Sequence, residues 1–232
     1  MLPFSYTSSK PFEDYTLEEI LEGQVFLVDK PLEWTSFQVV NKLKTTIRRK
    51  FKIKKFKIGH AGTLDPLASG LLIICTGKQT KSIPQYQDGI KEYTGTITLG
   101  ATTPSFDLET EIDETFPTDH LTEAEILKAK EQFIGEFLQT PPVFSAVKIE
   151  GQRAYKAARK GAEITLRRRL VTVHEFETDC SELPKVHFRI VCEKGTYIRS
   201  IASDLGKALD NGSHLSALRR TRIGEFSVGE EK

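Results

Sequence analysis

Residues 59–72 read Gly59-His60-Ala61-Gly62-Thr63-Leu64-Asp65-Pro66-Leu67-Ala68-Ser69-Gly70-Leu71-Leu72, and they set a single carboxylate, Asp65, in a glycine-punctuated turn. Residues 42–57, just before it, carry nine basic groups and no acidic one. An isolated acid behind a cationic run suits a nucleophile, or a stabiliser of developing charge, that works on a polyanion. The same residues also read as an ordinary helix start, with Asp as N-cap and Pro at the first helical position. An acid with this task must stay ionised in a dry pocket. Burial alone would raise its pKa, whereas a guanidinium within about 4–6 Å lowers it by roughly 1–3 units.

The elements that must position this turn are legible from periodicity. Gln24–Asp29 reads as a short apolar strand, and Thr35 or Ser36 caps a helix whose apolar face is Val39, Val40, Leu43 and Ile47. Residues 51–58 set Phe51, Ile53, Phe56 and Ile58 between lysines, a strand-like alternation with one extra residue that predicts a bulge. Leu71–Cys75 reads as a strand buried on both faces and Tyr93–Leu99 as one with a solvated face. Thr122 with Glu125 forms a capping box, Leu121 faces Ile126 as a staple, and Gly135 is expected to end that helix. A short helix from Arg153 to Lys160, strands at 170–176 and 186–192, and a helix after Gly195 burying Ile198, Ile201, Leu205 and Leu209 complete the pattern. Strands both adjacent and separated by helices, with no steady βαβ rhythm, predict an α+β fold with a mixed sheet.

The chain has 232 residues, enough to bury a core, and a single domain is the expectation. No apolar run approaches a membrane span, and the N-terminus has neither a basic start nor an apolar signal core, which predicts a cytoplasmic protein. Cys75, Cys180 and Cys192 form no C-x-x-C pair and are expected as reduced core residues. Formal net charge is +1, yet charge is segregated: 107–125 holds eight acids and no base, and 148–169 holds eight bases against two acids. Two basic segments favour a phosphate-rich ligand.

The 59–70 string fills every fixed position of G-H-x-G-x-L-D-P-x-A-x-G, and with it the chain resembles the TruB family of bacterial tRNA pseudouridine synthases. Four more segments carry the likeness: Lys30-Pro31 with Thr35-Ser36; Lys91-Glu92-Tyr93; Gln139-Thr140-Pro141-Pro142-Val143-Phe144-Ser145-Ala146-Val147-Lys148 with Gly151, Tyr155 and Arg159; and Lys194-Gly195-Thr196-Tyr197-Ile198-Arg199 with Leu218-Arg219-Arg220-Thr221. The resemblance implies a pseudouridine synthase fold, a central mixed, mostly antiparallel sheet flanked by helices, over residues 24–232. A leader at 1–23 precedes it, and an insertion at about 138–168 clamps the tRNA T-arm. It implies that Asp65 is catalytic with Arg199 as its ion-pair partner, and that Tyr93 lies against the target base. Lys30, His60, Tyr197, Leu218, Lys148 and Arg159 become substrate- or RNA-binding residues. The implied reaction is isomerisation of the T-loop uridine at tRNA position 55 by a monomer, with no cofactor, no nucleotide and no metal, after extrusion of the base. Two positions depart from the pattern: Glu33 replaces a glycine of the first motif, and Thr103-Pro104-Ser105-Phe106-Asp107 keeps only the last aspartate of T-D-T-x-D. The motifs end near Arg222-Ile223-Gly224-Glu225-Phe226, which implies a short form without the PUA-type C-terminal extension.

Other chemistries fit less well. Thr76-Gly77-Lys78-Gln79-Thr80 lacks the earlier glycine and the Ser or Thr after lysine that a phosphate-binding loop needs. A glycoside hydrolase would need a second carboxylate, and Asp107 or Glu109 sits among acids with no motif to pair it. The alternative from a different class is a non-catalytic RNA-binding or RNA-folding module that keeps the basic surfaces and leaves Asp65 dispensable.

Overall fold

A computed structural model describes residues 2–144, 148–149, 152–153 and 166–228, the two short pairs by their backbone only. The chain divides into two compact units, Met1–Tyr93 with Leu218–Lys232, and Thr94–Ala217. Among the described residues no helix is long and apolar enough to cross a membrane.

The first unit starts with β1 (Tyr6–Thr7), α1 (Leu17–Glu22), β2 (Val25–Lys30), α2 (Ser36–Phe51), β3 (Ile58–Ala61), β4 (Ala68–Thr76) and α3 (Ile83–Asp88). Asp65 begins no helix: Pro66 and Leu67 form a turn that leads straight into β4. Thr35 caps α2, accepting from Gln38 N while the Gln38 side chain accepts from Thr35 N. The predicted stripe Val39, Val40, Leu43 and Ile47 is its buried face. All nine residues of β4 are buried, and alternation sends them two ways. Leu72 and Ile74 join the α2 stripe, while Leu71, Ile73 and Cys75 pack with Ala61 and Ile223.

One reading changes in this unit. Residues 52–57 are a loop and not a bulged strand, because α2 continues to Phe51 and ends with Lys52 in the left-handed region. Ile53 and Phe56 still pack against the core, which produced the alternation. Within residues 1–23, Thr16 caps α1, and Phe12, Tyr15 and Ile20 are buried with Phe26 and Val28.

β5 (Lys91–Leu99) carries the chain into the second unit, which holds β6 (Ala101–Thr102), β7 (Glu114–Thr115), α4 (Glu123–Lys130), β8 (Gly135–Gln139), β9 (Lys148–Ile149), β10 (Gln152–Arg153), β11 (Arg169–Glu182), β12 (Lys185–Cys192) and α5 (Ile198–Ala208). The Thr122 capping box is present. Gly135, at φ 84°, opens β8 and does not close α4, which has already run through a 3-10 turn at Glu131–Phe133. Ile198, Ile201 and Leu205 are buried and Leu209 is half-buried at the end of α5. The expected helix from Arg153 to Lys160 lies outside the described residues apart from Arg153, which belongs to β10. Strands in this unit follow the order β13-β5-β12-β11-β8, where β13 (Ser213–Ile223) is the strand that returns the chain to the first unit.

In the first unit the order is β1-β2-β4-β13, with β3 also on β4 and β14 (Phe226–Ser227) on β13. The β13–β4 ladder is parallel and the other described registers are antiparallel, so the sheet is mixed and the fold α+β. β13 was not legible as a strand, since Arg219, Arg220 and Arg222 interrupt any apolar pattern. Its register sets Leu218 opposite Ala68 and Arg220 opposite Gly70. Gly70 has φ 98°, and a Cβ there would run into the Arg220 carbonyl oxygen, with its carbonyl carbon and amide nitrogen at 2.9 Å. Gly70→Ala is therefore expected to cost about 3 kcal/mol or more, read as a lower urea midpoint.

Candidate active site

The first motif of the chain is a cradle for the Asp65 turn. Lys30, at the end of β2, is fully buried. Its Nζ donates to the carbonyls of Trp34 at 2.6 Å, Pro31 at 3.0 Å and Pro66 at 3.4 Å. Glu33 N donates to the same Pro66 carbonyl at 2.9 Å, and Glu33 sits at φ 65°, the left-handed region that glycine adopts with least strain. Ser36, at the first turn of α2, accepts from Leu64 N at 2.9 Å and donates to Leu64 O at 3.1 Å. Ala68 N closes the turn onto Asp65 O at 3.1 Å. Leu64 is buried beneath the turn and Asp65 itself is half-buried.

This corrects Lys30 as an RNA-binding residue: a fully buried ammonium on three carbonyls shapes the loop and cannot meet a phosphate. Burial pushes Lys30 down from 10.5 to about 8, the Asp65 charge works to raise it, and Arg220 lowers it further. The unfolded chain therefore binds a proton at this site between pH 8 and 10.5 that the folded chain releases. Stability must rise with pH across that window, by up to about 3 kcal/mol, while below pH 8 the full burial cost is present. Urea midpoints of the wild-type protein and Lys30→Met, taken at pH 7, 8.5 and 10, should diverge with that sign.

Arg220 supports the turn from the other side. It is 2% exposed, donates from Nε to Leu71 O at 2.9 Å and from Nη2 to Gly62 O at 3.0 Å, and lies 3.3 Å from where a Gly62 Cβ would stand. Next to it, Arg219 grips Asp29 with both terminal nitrogens, at 2.6 and 2.9 Å. The two terminal-nitrogen bonds tie β13 to β2 across β4. His60, on β3, is half-buried with its Nδ1 enclosed and without a hydrogen-bond partner. Burial lowers its pKa, the Gly62 backbone acts the other way, and the Arg220 charge adds to burial. Leu218 is half-buried opposite Ala68. Tyr93 is half-buried on β5, beside Glu92, whose carboxylate accepts from Thr221 at 2.7 Å and faces Arg222 at 3.6 Å. Asp65, Lys30, His60, Tyr93 and Leu218 all belong to this unit.

Arg199 and Tyr197 belong to the second unit. Gln139, 1% exposed, accepts from Tyr197 N at 2.8 Å and donates to Tyr197 O at 3.0 Å, which fixes the start of α5 where Tyr197 offers no side-chain cap. Ser200 Oγ donates to Thr140 O at 2.7 Å. In the first turn of the helix, Arg199 is buried and donates to Ser105 O at 3.1 Å and Phe144 O at 2.9 Å. Its Nε faces Asp107 Oδ2 at 3.5 Å, both residues being 4% exposed. Asp107 is therefore a buried partner of Arg199 and not a solvated member of the acidic run. Thr103 and Ser105 hydroxyls donate to the Asp107 carbonyl, at 2.6 and 3.1 Å, so the altered T-P-S-F-D segment still folds around its aspartate.

Lys148 lies on β9, described by backbone alone, and Arg159 lies outside the described residues. The three cysteines are buried thiols, Cys75 pushed up to about 11 by burial. Among the described residues no three His, Cys, Asp or Glu side chains gather as a metal-holding group. Sequence reasoning missed the parts played by Ser36, Gln139, Arg220 and Asp107. Each stood inside a quoted segment, which was the available signal, but the partner of each is remote in the chain.

Comparison with known proteins follows the same residues. The profile described as TruB family pseudouridylate synthase (N terminal domain) matches residues 48–198. A protein of Flavobacterium johnsoniae named tRNA pseudouridine synthase B is 60% identical over 214 residues, 92% of this chain and 93% of the relative. One of the same name from Phocaeicola vulgatus is 55% identical over 207 residues, 89% and 88% of the two chains. Among solved structures, a chain of a Cbf5–Nop10–Gar1 complex superposes with a TM-score of 0.67 at 32% identity, covering 96% of this chain and 55% of that one. A chain of an H/ACA RNP bound to a substrate RNA containing 2′-deoxyuridine gives 0.63 at 26% identity, covering 97% and 59%. The present chain thus spans little more than half the length of those solved chains.

Proposed function

We propose, because this chain belongs to the TruB family of pseudouridylate synthases, that it isomerises uridine to pseudouridine in tRNA, at the T-loop position numbered 55. The reaction breaks the bond between N1 of the base and C1′ of the sugar, joins C5 to C1′, releases the C5 proton and leaves a proton on N1. Atoms and electrons balance within the nucleotide, so the protein need only supply a reactive carboxylate, an enclosure and a way to present the base.

Asp65 is the carboxylate in this reading. Arg199 pairs with it, Tyr93 lies against the extruded base, and Leu218 and His60 contact the target nucleotide and its loop. Residues 24–232 act as one catalytic domain behind the 1–23 segment, as a cytoplasmic monomer. The insertion at about 138–168, with Lys148 and Arg159, clamps the T-arm, and Tyr197 helps bind the RNA. The observation that carries the reading is the Asp65 turn, whose half-buried acid is braced by Lys30, Ser36 and Arg220 through hydrogen bonds to its loop backbone. A binding module has no use for a rigidly presented acid.

The test is release of tritium from tRNA carrying 5-tritiated uridine. One tritium per tRNA is expected, and none from a transcript with cytidine at the target position. Release that persists from the cytidine transcript would refute the T-loop assignment.

A further inference from the structure

The basic run that precedes Asp65 in sequence is remote from it in space. Ser36 of α2 bonds to Leu64, whereas the cations cluster at the other end of the helix and beyond it. Sixteen helical residues span about 24 Å. β4 gives a second ruler: its first residue, Ala68, bonds to Asp65 O, and its last, Thr76, pairs with Ile58, next to Lys57. Eight strand steps span about 26 Å. Arg48, Arg49, Lys52, Lys54, Lys55 and Lys57 therefore stand roughly 20–25 Å from the reactive carboxylate, too far to touch the nucleotide being isomerised.

The ordinary explanation covers only part of the cluster. Cations in a last helical turn suit the helix dipole, which accounts for Arg48 and Arg49. Lys50 is committed to Phe12 O at 2.9 Å and Glu13 O at 2.5 Å. Lys52, Lys54, Lys55 and Lys57 lie past the helix. All four are exposed, while Ile53 and Phe56 are packed into the core and pin the loop that displays them. Among the described residues none of these four, nor Arg48 or Arg49, has an ion pair or a side-chain hydrogen bond. Elsewhere in the same unit lysines do find acids, the half-buried Lys10 on Glu19 and the exposed Lys78 on Glu22. Lys52 also occupies a left-handed helix-end position, φ 53° and ψ 34°, where glycine is favoured. A group of like charges without partners, one of which accepts a left-handed backbone, points to a polyanionic ligand.

We infer that this end of the first unit is a second RNA-contact surface, which takes the sugar-phosphate backbone of the tRNA away from the target loop. The inference rests on the tRNA reading above. Its contacts would be to shape and charge and not to sequence, and they would add affinity with strong salt dependence.

The test uses the full chain with Arg49, Lys54, Lys55 and Lys57 all changed to Gln, and full-length tRNA transcript. Dissociation constants between 50 and 200 mM salt and the single-turnover rate at saturating tRNA are measured. At about 150 mM salt the affinity should fall roughly tenfold or more, the slope of log affinity against log salt should flatten by about 2–4, and the saturated rate should stay within about twofold. Unchanged affinity and slope would overturn the inference. A wild-type protein that binds tRNA but releases no tritium would instead overturn the isomerase reading. Lys52→Gly removes strain and charge together: a Tm no lower than wild type with affinity reduced about two- to threefold is expected, and a lowered Tm would mark the lysine as structural and count against the surface.

Discussion

Asp65→Asn is expected to bind tRNA with near wild-type affinity and to release tritium at least about a thousandfold more slowly, a barrier increase of some 4 kcal/mol. The substitution keeps the shape of the side chain and removes its charge and nucleophilicity. The backbone of the turn is held by Lys30 on Pro66 O, Ser36 on Leu64 and Arg220 on Gly62 O. Binding and turnover should therefore separate. Equal loss of both would mean that the acid builds the RNA site, and full turnover would mean that Asp65 is not the catalytic carboxylate.

Arg199→Met should have the next largest effect, and on two readouts at once. It strands Asp107, 4% exposed, without its cation, and removes donors from Ser105 O and Phe144 O. Breaking a buried pair from one side costs about 3–5 kcal/mol. Pairing Arg199→Met with Asp107→Asn removes the stranded charge and should recover much of that loss. Turnover should not recover, because the proposed support for Asp65 is still missing. A double variant that regains both stability and activity would make Arg199 purely structural. Arg199→Lys keeps the charge but not the planar fork, and a kcat reduced about 10- to 100-fold with KM within a few fold is expected.

How far the sequence revealed the molecule depended on whether a pattern was local. The α2 stripe of Val39, Val40, Leu43 and Ile47, the buried run of β4 and the Thr122 box are set by neighbours within a turn or a strand, and each appears where periodicity put it. The 52–57 loop misled because packing of Ile53 and Phe56 onto the core makes an apolar alternation without strand pairing. β13 stayed hidden because Arg220 is buried by giving its guanidinium to the carbonyls of Leu71 and Gly62, a solution that no hydropathy pattern displays. The site divides the same way. Asp65 stood out as an acid in a glycine-rich turn, whereas Lys30 was implied as an RNA-binding residue until its three carbonyl partners were visible. Asp107 looked like one more acid of a solvated run and is in fact the buried partner of Arg199.

The account turns on one carboxylate acting on one uridine, and complementation tests it directly. In a strain lacking this gene, pseudouridine mapping across total tRNA should show loss confined to the T-loop position, restored by the wild-type gene and not by Asp65→Asn. Restoration by Asp65→Asn, or an intact T-loop pseudouridine in the deleted strain, would contradict it.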